Sequence, residues 1–160
     1  MASQSFLKVE GIQGESKDHA HEGAIEVVDW GWAATLTGSM HEPRRGGAEK
    51  PEFQDLWVTK AVDLATPQLW SHLATGRQIQ SAELIMRRMG GDPVEFLKLR
   101  LELIIVSDIV TTGTSEEDHA AEEVSLNFAR WKITYTPQEA DGTPGPENSF
   151  GFDIRRNEQI

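Results

Sequence analysis

The sequence predicts a mainly β domain with one helix, and three observations carry that expectation. From Leu97 to Ile105 every odd position is apolar (Leu97, Leu99, Leu101, Leu103, Ile105), and Lys98, Arg100 and Glu102 between them are charged. Alternation with a period of two over that length marks a strand with one buried and one wet face. Residues 24–36 and 124–135 also alternate, but each changes phase partway: Ile25 and Val27 give way to Val28, Trp30 and Trp32, and Val124, Leu126 and Phe128 give way to Trp131, Ile133 and Tyr135. A phase change requires a bulge, or a strand that passes from one sheet to another as in a small barrel. Helix punctuation occurs once, with Thr66 as N-cap, Pro67 at the first helical position and Gly76 as the stop.

The other elements follow in order. Residues 5–10 form a short strand closed by Gly11 and Gly14, and residues 15–23 make a polar loop leading into 24–36. Residues 38–52 carry glycine, proline and charge, a loop of the length that usually has a function. Strand character resumes over 53–62, where Trp57 is out of phase with Leu56 and Val58 and is expected at the surface or an interface. The helix presents Leu69, Trp70 and Leu73 to the sheet. Residues 83–88 and 94–110 flank the turn Gly90-Gly91-Asp92-Pro93 as a long β-hairpin whose leucine face the rest of the chain must cover. An acidic loop with Glu116, Glu117 and Asp118 precedes 124–135, a Pro/Gly-rich linker follows it, and Phe150, Phe152 and Ile154 alternate as a closing strand.

Composition bounds the function. At 160 residues the chain is one domain, 1–160, able to bury about 70% of its unfolded surface. A net charge of -11 argues against nucleic acid and against an anionic membrane surface, both of which require many Lys and Arg contacts. Cysteine is absent, so disulfides and thiolate chemistry are excluded. No apolar run reaches the ~20 residues of a membrane span, and residues 1–20 hold no signal-peptide core, so synthesis into the cytoplasm without membrane insertion is expected.

Catalytic patterns are scarce. No P-loop, nucleophile elbow or triad spacing is present. His19 and His21 form an H-x-H pair that a jelly-roll metal enzyme could use, but they lie among charges in a polar loop, where solvated side chains are the expectation. Five tryptophans could make a sugar-binding module, yet Trp30, Trp32, Trp70 and Trp131 fall within apolar patterns and are expected in the core. More strand faces are apolar than one small core needs, which points to self-association.

Several stretches carry a resemblance: GESKDHAHEGAIEVVDWGW (14–32), TGSMH (37–41), DLATPQLWSHLATGR (63–77), VSLNFARWKITYTPQ (124–138) and FGFDIRRN (150–157). In order and spacing they resemble Hcp, the hemolysin-coregulated tube protein of type VI secretion systems, over about residues 5–157. The resemblance implies a β-barrel of two sheets with a flanking helix, phage tail-tube-like, without enzymatic activity or cofactor. It implies homo-hexameric rings stacked into a hollow tube inside a contractile sheath, tipped by the VgrG spike, with small effector proteins in the lumen. Such a protein assembles in the cytoplasm and is then secreted without a signal peptide.

Because Trp30 and Trp32 share a face, Asp29, Gly31 and Ala33 occupy the other, and by resemblance that face lines the channel, with open space before Gly31. The loop holding Ser39, Met40, His41, Arg44, Arg45, Glu49 and Lys50 is by resemblance the ring-stacking element. It departs from the strongly glycine-rich loop of many relatives through Glu42-Pro43-Arg44-Arg45 and Glu49-Lys50-Pro51, and Gly31 stands where many relatives carry a hydroxyl residue.

Overall fold

The computed structural model describes residues 2–38, 40–41 and 50–160. The chain runs β1 (Ser3–Val9), β2 (Ile25–Val27), β3 (Asp29–Gly31), β4 (Ala34–Thr35), β5 (Glu52–Phe53), β6 (Leu56–Ala61), α1 (Thr66–Thr75), β7 (Ile79–Arg88), β8 (Glu95–Thr112), β9 (Ala121–Tyr135), β10 (Asn148–Asp153) and β11 (Glu158–Gln159). Antiparallel pairing gives the order β11-β10-β9-β8-β7-β1-β2, with β6 joining β9 to β3 and β4 pairing β5 as a separate ribbon. The circuit closes through the chain itself. β2 pairs with β1, β3 pairs with β6, and at the switch between them Val28 N donates to Thr59 O at 2.8 Å. This is the phase change expected in 24–36, and it leaves Val28 80% exposed. The product is a small, mainly β barrel.

β9 is shared in the way its own phase change requires. Ala121–Leu126 pairs with β6, Arg130–Tyr135 pairs with β10, and β8 runs along the opposite edge of both. Phe128 and Trp131, three residues apart, therefore both reach the core.

The uninterrupted alternation expected from Leu97 to Ile105 is corrected at Leu103, whose φ of 54° is left-handed. Leu99 and Leu101 point inward before it, and Ile104 and Val106 point inward after it. One residue in that region flips the pleat, at a cost of about 1–2 kcal/mol for a side chain with a Cβ, and turns Ile105 outward. A second irregularity, between Val106 and Asp108, returns Ile109 to the core.

α1 docks through Leu69, with Leu73 packed against the core and Gly76 at φ 66° ending it. Two expectations shift here. Ala65 occupies the N-cap position, because Thr66 turns its hydroxyl to Glu122 in the interior. Trp70 is exposed, because the inward face of the helix is Leu69, His72 and Leu73. Of the remaining tryptophans, Trp131 is buried and Trp30 and Trp32 pack half-buried on the core.

Candidate interaction surfaces

One face of the barrel is built from β3, β6, β9 and the second half of β8. Leu56, Val58 and Lys60 point inward along β6, so Trp57 and Thr59 point outward, and the register aligns neighbours in rows. Asp29, Thr59 and Glu123 make one row, and Gly31, Trp57, Ser125 and Asp108 make the next. Asp55 then accepts hydrogen bonds from Ser107 Oγ at 2.5 Å and Asn127 Nδ2 at 2.8 Å. In β3, β6, residues 121–127 of β9 and residues 105–112 of β8 the only basic residue, Lys60, is on the other side.

The expected face of Asp29, Gly31 and Ala33 is thus outside the core, opposite Trp30 and Trp32, with Asp29 and Ala33 exposed. The expected open space before Gly31 is corrected. A Cβ there would lie 2.5 Å from Cε2 and 2.7 Å from Nε1 of Trp57, so the indole rests where a side chain would stand. Trp57 itself remains 37% exposed, as its phase in the sequence required. Together with Trp32, Phe53 and Asp55 it borders an open groove of about 630 Å³.

Of the loop residues singled out for stacking, Ser39, Arg44, Arg45 and Glu49 lie outside the described residues. Met40, His41 and Lys50 are exposed beyond the β4–β5 ribbon, Met40 completely. That ribbon folds over the second half of β9. Trp32 meets Trp131 edge-on at 4.9 Å, Phe53 lies 5.4 Å from Trp131, and Phe152 closes the group at 5.6 Å from Phe53. Trp32 Nε1 donates to Gln54 O at 3.0 Å, fixing the ribbon's base.

The two histidines do not form a site. His19 is exposed, whereas His21 is 3% exposed, stacked on Phe6 at 4.7 Å, with Nε2 2.6 Å from Glu95 Oε1. The expectation of two solvated histidines therefore holds for His19 and fails for His21, which the tight 15–23 loop lays on the outside of β1. No group of three or more His, Asp or Glu that could hold a metal occurs among the described residues.

Asp18 of the same loop grips Arg87 (3.0 and 2.6 Å), which also reaches Gln4 and lies over Phe6. The Arg87 guanidinium hydrogen bond holds the Asp18 carboxyl down at about 2. Burial works to raise the Glu95 carboxyl, but hydrogen bonds from His21 and Lys98 outweigh it and the net shift is downward.

Inside the barrel, under the start of α1, lies a cluster that the sequence reading did not single out. Lys60 is 1% exposed, and Nζ meets Glu122 Oε1 at 2.5 Å, Asp63 Oδ1 at 2.8 Å and Thr66 Oγ1 at 3.3 Å. Thr66 and Thr111 hydroxyls donate to the two Glu122 oxygens. The signal was present: Lys60 follows Leu56 and Val58 in the inward phase, and Glu122 precedes Val124 and Leu126 in theirs. Every donor of the ammonium has an acceptor, which is what a buried charge needs. The cluster ties α1 to β6 and β9 and leaves no group free for chemistry.

The described residues thus present an acidic outer face, an aromatic ribbon and a buried charge cluster, and comparisons with known proteins say which family carries them. The family model described as "Type VI secretion system effector, Hcp" matches residues 6–135. The chain is 40% identical over 161 residues to protein hcp1 of Pseudomonas aeruginosa, covering 99% of both chains. It resembles the solved structure of a type six secretion system protein at a TM-score of 0.93 and 26% identity, over 99% of this chain and 100% of that one. Hcp1 from Salmonella typhimurium aligns over 100% of both chains, at a TM-score of 0.81 and 32% identity. A match of this extent in both sequence and fold places the chain in the Hcp family of type VI secretion proteins.

Proposed function

We propose that this protein is the repeating subunit of a type VI secretion tube. Six copies close into a ring, rings stack into a hollow tube within a contractile sheath, a VgrG spike tips the tube, and small effector proteins travel in its lumen. The chain works as a structural element without catalysis, assembled in the cytoplasm and exported with the tube. The observation that carries this reading is the end-to-end match to hcp1 at 40% identity. Two surfaces take roles in it: the face of Asp29, Gly31 and Ala33 lines the channel, and the loop from Ser39 to Lys50 meets the next ring. No helix among the described residues is long and apolar enough to cross a membrane.

Six chains of -11 concentrate about -66 charges in one ring, and salt screens their repulsion over ~10 Å at 0.1 M. Assembly should therefore hold or strengthen from low to moderate salt. Sedimentation and negative-stain imaging at micromolar concentration should show six-membered rings; monomer alone at moderate salt would overturn the reading. Replacing residues 38–52 by a tight turn should spare the fold, because long loops cost little free energy, and spare the rings while abolishing tubes or secretion. Normal secretion of that variant would remove the loop from the stacking role.

A further inference from the structure

The outward face of β3, β6, β9 and β8 is not covered by any described element, and its make-up is one-sided. Asp29, Asp108 and Glu123 are exposed and Asp55 is half-exposed at the groove. Among the described residues no lysine or arginine points outward from β3, β6, residues 121–127 of β9 or residues 105–112 of β8; the outward Lys98, Arg100, Arg130 and Lys132 lie on the far halves of β8 and β9. Thr59 stands between Asp29 and Glu123, and Ser125 between Trp57 and Asp108, so carboxylates two strands apart, about 10 Å, add to one negative field within a screening length. At its centre is Trp57. The indole lies flat against Gly31 in the space a Cβ would take, so its position is set by the backbone beneath it, while its other surface stays open to the groove. A fixed, half-exposed indole among carboxylates has the chemistry that receives a cation: the ring face attracts a guanidinium or ammonium, and the carboxylates balance its charge.

We infer that this face docks a protein surface bearing arginine or lysine, seating one such side chain on Trp57 among Asp29, Asp55, Asp108 and Glu123. That the partner is the transported cargo rests on the channel reading above; the docking chemistry does not. The geometry supports charge complementarity as the source of selectivity, since the described residues lining the groove include no cation to receive an acidic partner.

The test uses the full-length protein and a fluorescein-labelled peptide of four arginines alternating with glycine, against the same peptide with glutamates, read by anisotropy at about 0.15 M salt. Asp29→Asn/Asp108→Asn and, separately, Trp57→Leu should each weaken arginine-peptide binding about tenfold, with Trp57→Phe losing less. Glu116→Gln/Glu147→Gln removes the same charge from exposed positions elsewhere and should leave binding unchanged. Equal weakening by that control pair, or equal binding of the glutamate peptide, would overturn the inference. The channel reading is checked separately with Ala33→Cys and a bulky maleimide: protection in assembled tubes supports it. Full labelling would remove the channel while leaving the peptide result standing.

Discussion

Glu122 and Glu123 are neighbours in the chain, yet their carboxylates meet opposite surroundings. Glu122 is 3% exposed inside the barrel, with Lys60, Thr66 and Thr111 on its oxygens. Glu123 stands outside, beside Thr59, with Asp29 one strand beyond. The pleat alone separates them. Inside, every charge has a partner, and the cluster is worth what its loss would strand. Around Glu123 the outward charges on β3, β6 and the adjoining halves of β8 and β9 are all negative and cost the fold little, since water solvates them. Between these extremes lie two partly covered places, Gly31 under Trp57 and the loop residue Asp18 on Arg87.

The sharpest way to break the inner side is Lys60→Ala, which leaves Glu122 and Asp63 without their cation. A loss of about 3–5 kcal/mol in denaturant unfolding is expected, with most of it recovered in Lys60→Met/Glu122→Leu. A loss no greater than that of an ordinary surface change would mean water reaches the cluster.

Gly31→Gln comes next. The new side chain must push the Trp57 indole off its seat and toward the groove, so about 1–3 kcal/mol should be lost and the fold retained. Tryptophan emission should shift to the red. An unchanged spectrum would show that Trp57 does not rest on Gly31.

Arg87→Gln should cost less, and its cost should depend on pH. The Asp18 carboxyl is lowered from 3.8 to about 2 in the folded protein, so the ion pair contributes fully above 3.8 and its contribution is lost as pH falls through 2. The stability gap between the native protein and the variant should therefore be flat from about pH 7 to 5 and shrink on further acidification. A gap that does not change with pH would assign the effect to Arg87 packing on Phe6.

Glu123→Gln should move stability by no more than about 0.5 kcal/mol, and upward if repulsion from Asp29 is felt. Any large loss would place a cation on the outer face.

Much of this was legible in the sequence because it follows from local rules. Pro67 and Gly76 bracket a helix that exists, and the two phase changes mark the two strands that switch partners. What escaped notice depends on neighbours remote in sequence. The reversal at Leu103 is hidden because Leu103, Ile104 and Ile105 are all apolar, so either phase reads as buried. His21 is buried because Phe6 and Glu95 meet it from β1 and β8. Trp70 could have faced either way on its helix, and His72 took the inward place. The seat of Trp57 on Gly31 needs the β3–β6 register, which no single stretch contains.

The sharing of β9 between two partners also sets a timetable for the nascent chain. The β6 edge that pairs with Ala121–Leu126 waits while the 59 residues between Ala61 and β9 are made, roughly 3–12 s at cellular synthesis rates. Until then the barrel has no seam to close, and Leu56, Val58 and Lys60 have no wall opposite. Ribosome-stalled chains ending before β9 should be cut readily by protease within β6, and chains that have exposed residue 135 outside the ribosome should resist. Equal resistance in both would show that the amino-terminal strands find a stable arrangement before their shared partner arrives.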